Sequence, residues 1–145
     1  MTGATTPTNI GLWARVYLAT LVTFAVVDAL WLGTLGGAMF KAALGSSLRS
    51  EPLLVAAGAF YLLYAAGLTA LAVRPTEAAT SPGSAAARGA LLGLTAYGTF
   101  DLTCLAVLQG YTVTLALADM AWGTFVSAVS ALAGGWTAVR WRSVS

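Results

Sequence analysis

The chain is predicted to be all-α, a polytopic membrane protein built as a four-transmembrane-helix bundle with both termini in the cytoplasm. Three observations predict it. Hydrophobic residues make up 59% of 145 residues against 8% charged, and the mean hydropathy is +0.83, whereas a soluble domain this small needs charge to cover its surface. Four apolar runs are each long enough to cross ~30 Å of hydrocarbon at ~1.5 Å per residue. The basic residues also segregate: with four spans, Arg15, Arg74, Arg88, Arg140 and Arg142 share one side, leaving Lys41 and Arg49 opposite, and the side richer in short-loop Lys and Arg is cytoplasmic. That asymmetry argues against a chain that inserts both ways.

Residues 1–12 are rich in Thr, Ala, Gly and Pro and lack any period, so they read as a disordered lead. A single transmembrane domain over 13–140 follows, with spans at about 16–37, 52–73, 89–109 and 112–138, then a tail over 141–145. The first span lies between Trp13 with Arg15 and Lys41. It is too long for a signal-peptide core and contains Asp28 where such cores are apolar. Pro52 suits the first turn of the second span, which Arg74 and Pro75 stop. The segment TEAATSPGSAAAR, from Thr76, reads as a solvent-exposed loop. The third and fourth spans form a tight hairpin around Gln109, Gly110 and Tyr111. Small residues within the spans, among them Gly33 with Gly37, Gly89 with Gly93 and the run Ala65, Ala66, Gly67, permit close helix approach in lipid.

Composition also excludes chemistries. The chain has no His, which removes haem, the usual zinc sites and imidazole bases. Cys104 is the one cysteine, so no intrachain disulfide forms. The Arg residues form no block that would bind nucleic acid. No catalytic residue and no cofactor is assigned, and the metal question stays open.

The informative residues are Asp28, Asp101 and Asp119, deep in apolar spans with no Lys, Arg or His in the membrane to neutralise them. A central charge carries a penalty of roughly 2.5 to 3.5 kcal/mol, which makes three accidental acids improbable. Asp101 and Asp119 are equidistant from Gly110, and counting from the helix ends places Asp28 and Tyr61 at a matching depth, with Tyr64 about one turn deeper. Trp31 follows Asp28, and Trp122 follows Asp119, at a three-residue spacing that puts ring and carboxyl on one helix face. Because those spans run in opposite directions, the two Trp residues are expected on opposite sides of one acidic layer, as gates. Thr103, with Thr99, is a supplementary oxygen donor. The expected binding set is thus Asp28, Asp101, Asp119, Tyr61, Tyr64, Trp31, Trp122 and Thr103. The structural alternative is that Trp fills space and Asp–Tyr bonds join helices, such bonds contributing about 0.6 to 2 kcal/mol each.

The segments DALWLG from Asp28, FYLLYAAGL from Phe60, AYGTFDLTCL from Ala96 and ADMAWGTF from Ala118 resemble a family of small bacterial four-span predicted membrane proteins of unknown function, over roughly residues 16–136. The resemblance implies a bacterial inner-membrane location and a recurrent acidic-aromatic core, and supplies no activity, substrate or cofactor. One departure is that Asn often follows the DLT triplet in that family, where this chain has Cys104.

Three functions compete. A binding protein or transporter for a small cation or compact solute would use protonation of the Asp layer for coupling, and a full pathway through so narrow a bundle would call for a homodimer. An accessory or scaffold subunit, working with a membrane partner protein, would use the Asp layer only to lock helix register. An intramembrane enzyme has the least support: no Gly-x-Gly-Asp signature, no nucleophile elbow, and no basic residue within the spans to hold a phosphate. Contact with the lipid bilayer is common to all three.

Overall fold

The computed structural model describes residues 10–143. Helix α1 spans Ile10–Leu32 and α2 spans Leu35–Leu44. After a 3-10 turn at Gly45–Ser47, α3 spans Leu54–Gly67 and continues as a π-helix over Leu68–Val73. Helices α4, Pro82–Val107, and α5, Val113–Arg142, complete the bundle. Among the described residues every regular element is helical, and four helices are long and apolar enough to cross a membrane: α1, α3 with its π continuation, α4 and α5. Antiparallel α4 and α5 form the most extensive interface, α1 packs along α5, and the π segment wedges against α4 and α5.

The helix ends have local causes, and several differ from expectation. Of the expected disordered lead, residues 1–9 lie outside the described residues, while Ile10, Gly11 and Leu12 already belong to α1. The first helix ends at Leu32, and the chain turns at Gly33 and Thr34, with Thr34 Oγ1 donating to the Leu30 carbonyl. Gly36 makes the break possible, since a Cβ there would overlap the Trp31 ring. Gly33 and Gly37 thus serve the break between α1 and α2, against the Ala29 and Leu32 carbonyls, rather than an interhelical seam. Pro52 precedes α3 in extended chain instead of opening it. At the other end of that span Arg74 adopts a left-handed φ of 55°, which ends the π-helix before Pro75.

The expected loop after Pro75 becomes helical at Pro82, seven residues before the expected third span. Ser81 Oγ accepts from Ser84 N, Ser84 Oγ accepts from Ser81 N, and Pro82 takes the first turn. This reciprocal cap with a proline satisfies donors that would otherwise be orphaned. Between α4 and α5 the hairpin depends on Gly110, whose φ of 89° and whose approach to the Ala43 carbonyl, 2.6 Å from where a Cβ would sit, both require glycine.

Gly89 and Gly93 do carry helix packing: side chains there would meet the Ser127 and Gly123 carbonyls of α5. Gly67 faces open space. The core below the acidic region is fully buried, with Val16, Phe24, Leu68, Val73 and Val126 at its centre, and Thr20, Thr69, Ser127 and Ser130 are buried as well.

At the end of the bundle that carries the 74–81 loop, arginines cap carbonyls. Arg88 Nε donates to the Ala72 carbonyl at 2.7 Å. Arg142 donates to the Glu77 carbonyl at 2.7 Å and to the Thr80 carbonyl at 3.0 Å. The Arg15 guanidinium lies 3.4 Å over the Trp141 ring. Arg142→Ala is expected to lower stability by about 1 kcal/mol, and limited proteolysis should then show faster cleavage within the 74–81 loop.

Candidate functional site

The carboxyls are paired with aromatic donors, from other helices for Asp28 and Asp119 and from the hairpin loop for Asp101. Trp31 Nε1 donates to Asp119 Oδ1 at 3.0 Å, and Trp122 Nε1 donates to Asp28 Oδ1 at 3.3 Å. The two indoles stack, with centroids 5.0 Å apart and planes 9° from parallel. Tyr61 Oη donates to Asp28 Oδ2 at 2.8 Å. Tyr111 Oη donates to Asp101 Oδ1 at 2.5 Å. Asp28 and Asp119 are 4% and 5% exposed, and Asp101 is fully buried. Burial and the neighbouring Asp101 push the Tyr111 phenol, in the hairpin loop, well above its ordinary pKa, so it stays a donor.

Tyr64 belongs to a separate pair, its hydroxyl 2.8 Å from Ser127 Oγ.

The expected single acidic layer is not built. Thr20 Oγ1 occupies the space beside Gly134, which sets the register of α1 against α5. Counted from that level, Asp28 lies ~12 Å, Trp31 ~16 Å, Trp122 ~18 Å and Asp119 ~22 Å towards the hairpin, at ~1.5 Å of rise per residue. The tryptophans therefore share one level, with Asp28 on the basic side of the stack and Asp119 on the hairpin side. This inverts the expected gates around a layer. The cause is that helix-end counting assumed a first span running to Gly37, while α1 stops at Leu32.

A cavity of about 360 Å³ lies beside Trp31 and is lined by both Asp28 and Asp119. Its walls are Phe40, Phe60, Tyr64, Tyr97 and Phe100, with Leu32 and Ala96. Of the expected set, Asp28, Asp119, Trp31 and Tyr64 line the cavity. Tyr61 and Trp122 stand behind Asp28 and hold its two oxygens. Asp101 lies outside, and its Oδ2 is buried with no hydrogen-bond partner among the described residues.

Thr103 is placed elsewhere. It is exposed on a shallow groove with Thr95, Thr99 and Met120, because two residues beyond Asp101 is more than half a turn around a helix. Thr99 donates to its own helix, to the Thr95 carbonyl. Thr103→Ala is expected to change melting by less than about 0.5 kcal/mol and to leave any cavity ligand bound, as read by thermal shift. The contributions of Phe40, Phe60, Tyr97, Phe100 and Tyr111 were missed; the i, i+3 spacing of Tyr97 and Phe100 and the i, i+4 spacing of Phe60 and Tyr64 were the available signals.

Electrostatically the site is one-signed. Among the described residues the one salt bridge is Arg74–Glu77, at the basic end, and no three His, Cys, Asp or Glu side chains converge as a metal cage. Burying a carboxylate is costly unless a hydrogen bond, a proton or a cation compensates it.

The fold and its acidic-aromatic interior define a small multi-pass membrane protein of four spans. Its membership is specific: the family described as "Predicted membrane protein (DUF2177)", a domain of unknown function, matches residues 13–136, and the chain belongs to that family. No curated protein and no solved structure gives a match.

Proposed function

We propose that this protein binds, and transports, a cation or compact organic solute in the bacterial inner membrane, with both termini cytoplasmic and with proton coupling through its carboxyls. The observation that carries this reading is the cavity lined by Asp28 and Asp119, with aromatic walls and no basic side chain. Proton and cation compete there for the same negative charge, and that competition is the elementary requirement of coupled exchange. Asp28 and Asp119 carry the ligand. Trp31, Trp122 and Tyr61 orient the two carboxyls, Tyr64 shapes the wall, and Asp101 with Tyr111 secures the hairpin next to Asp119. The arginines at the basic end support a cytoplasmic placement of that end. A homodimer would complete a pathway too narrow for one bundle.

A second reading, a scaffold subunit serving a membrane partner protein, is favoured by one observation: the Trp31–Asp119 and Trp122–Asp28 bonds cross-link α1 and α5 reciprocally. Asp-to-Asn substitution separates the two readings, because Asn still accepts from indole but neither carries charge nor titrates.

The test is a thermal-stability screen of purified protein over pH and a panel of cations, repeated on Asp28→Asn and Asp119→Asn. A cation at about 100 times its Kd is expected to stabilise by about 2.7 kcal/mol. The stabilisation is present where the carboxylates are charged and is lost on acidification, and both variants should abolish it. Absence of any cation shift, with variants that melt normally, would establish the scaffold reading instead.

A further inference from the structure

The cavity is not closed on all sides. Helix α3 leans on α1 and makes no close backbone approach to α4 or α5 until its π continuation. Phe60 on α3 and Phe100 on α4 line the cavity and are 40% and 53% exposed, so one ring stands on each side of the gap. Each lies roughly 10 Å along its helix from the hairpin-side end, at ~1.5 Å per residue. That is inside the hydrocarbon of a span, and the opening therefore faces lipid rather than water.

Size and lining narrow the occupant. About 360 Å³ is far more than a bare metal ion fills and lies at the small end of organic-ligand sites. The walls are aromatic faces and aliphatic carbon, and Asp28 and Asp119 are the charged groups among them. Aromatic faces attract a cation whose charge is poorly hydrated, and carboxylates at low dielectric attract it further. An inorganic cation would leave the walls unmatched and does not travel through hydrocarbon. A neutral lipid chain would leave the carboxylates unmatched.

We propose that the cavity takes a lipophilic organic cation, one ammonium- or phosphonium-type charge on an apolar body, which enters sideways from the bilayer through the gap between α3 and α4. This rests on the cation-binding reading above and adds the ligand class and the route. The charge docks against Asp28 or Asp119, and the apolar body lies along Trp31 between Phe60 and Phe100. Because the gap opens within the membrane, loading follows the ligand's partitioning into lipid rather than its aqueous concentration alone.

The experiment uses the full chain in lipid nanodiscs with three probes: tetraphenylphosphonium, its neutral counterpart triphenylphosphine oxide, and the hydrophilic tetramethylammonium. Saturable binding of tetraphenylphosphonium is expected. It should weaken by roughly thirtyfold or more in Asp28→Asn/Asp119→Asn, while the neutral probe shows no carboxylate-dependent binding. Should that variant fold poorly, the route provides a second measurement. In Phe60→Cys/Phe100→Cys/Cys104→Ala, a bifunctional maleimide bridging the gap should slow association by roughly tenfold or more relative to the same variant left unbridged. Carboxylate-dependent binding of tetramethylammonium or an inorganic cation without tetraphenylphosphonium would overturn this inference and leave the cation-binding reading standing. Binding of no cation at all would overturn both. Unchanged association after bridging would overturn the lateral route.

Discussion

Gly93→Val is expected to disrupt the bundle by forcing α4 away from α5, destabilising the fold by about 3 kcal/mol or more. A Cβ at Gly93 would collide with the Gly123 carbonyl and with the Ser127 side chain. Backbone cannot move aside as a flexible side chain can, so the helices must separate, and overpacking of that kind commonly costs about 1 to 3 kcal/mol even where partial relaxation is possible. The interface affected is the most extensive in the molecule, and in lipid close packing is itself the driving force for association. The measurement is thermal unfolding of purified protein, with the monodisperse fraction on size exclusion as a second readout. Gly58→Ala is the control. Nothing lies within 4 Å of its missing Cβ, and replacing a mid-helix glycine should be neutral or stabilise by up to about 1 kcal/mol.

The second large effect is expected at Trp122. Trp122→Ala removes the stack on Trp31, the tilted contact with Phe125 at 5.4 Å, and the donor to Asp28 Oδ1. In a soluble core such a truncation costs about 3 to 5 kcal/mol, part of it from transfer of apolar surface out of water. In a bilayer much of that part is absent, because the competing environment is also apolar. What remains is lost contact and a carboxyl short of one donor, together roughly 2 to 3 kcal/mol. Trp122→Phe keeps most of the ring and removes the N–H, so a loss of about 1 kcal/mol is expected. In a double-mutant cycle with Asp28→Ala, non-additivity should appear for Trp122 but be much smaller for Trp31, whose donor serves Asp119. Equal coupling of Asp28 to both tryptophans would contradict the crossed pairing.

These two sites differ in how far the sequence exposes them. The Gly89 and Gly93 repeat is visible as small residues four apart, and its packing role follows from the physics of helices in lipid. Gly33 and Gly37 show the same spacing yet sit at a break, because Trp31 needs the space over Gly36. Ser81, Pro82 and Ser84 were hidden for a different reason: a loop-like composition concealed a helix cap whose hydrogen bonds are local but whose pattern uses Ser in place of the commoner Glu or Gln. Thr103 illustrates the limit of proximity in sequence, since two residues from Asp101 is the far side of the helix.

What the sequence alone determined is the solvent, the number of spans and the identity of the acids. Lipid imposes its demand residue by residue, through apolar length and through the cost of each buried charge, and such local quantities can be read without knowing neighbours. Only the tertiary structure decided which aromatic meets which carboxyl, that the tryptophans share a level with an acid on either side, and that α3 stands away from α4. Those depend on the register of one helix against another. That register is set by a few close approaches, Thr20 beside Gly134 and Gly93 beside Gly123, between residues far apart in the chain, and no periodicity within a single helix encodes it.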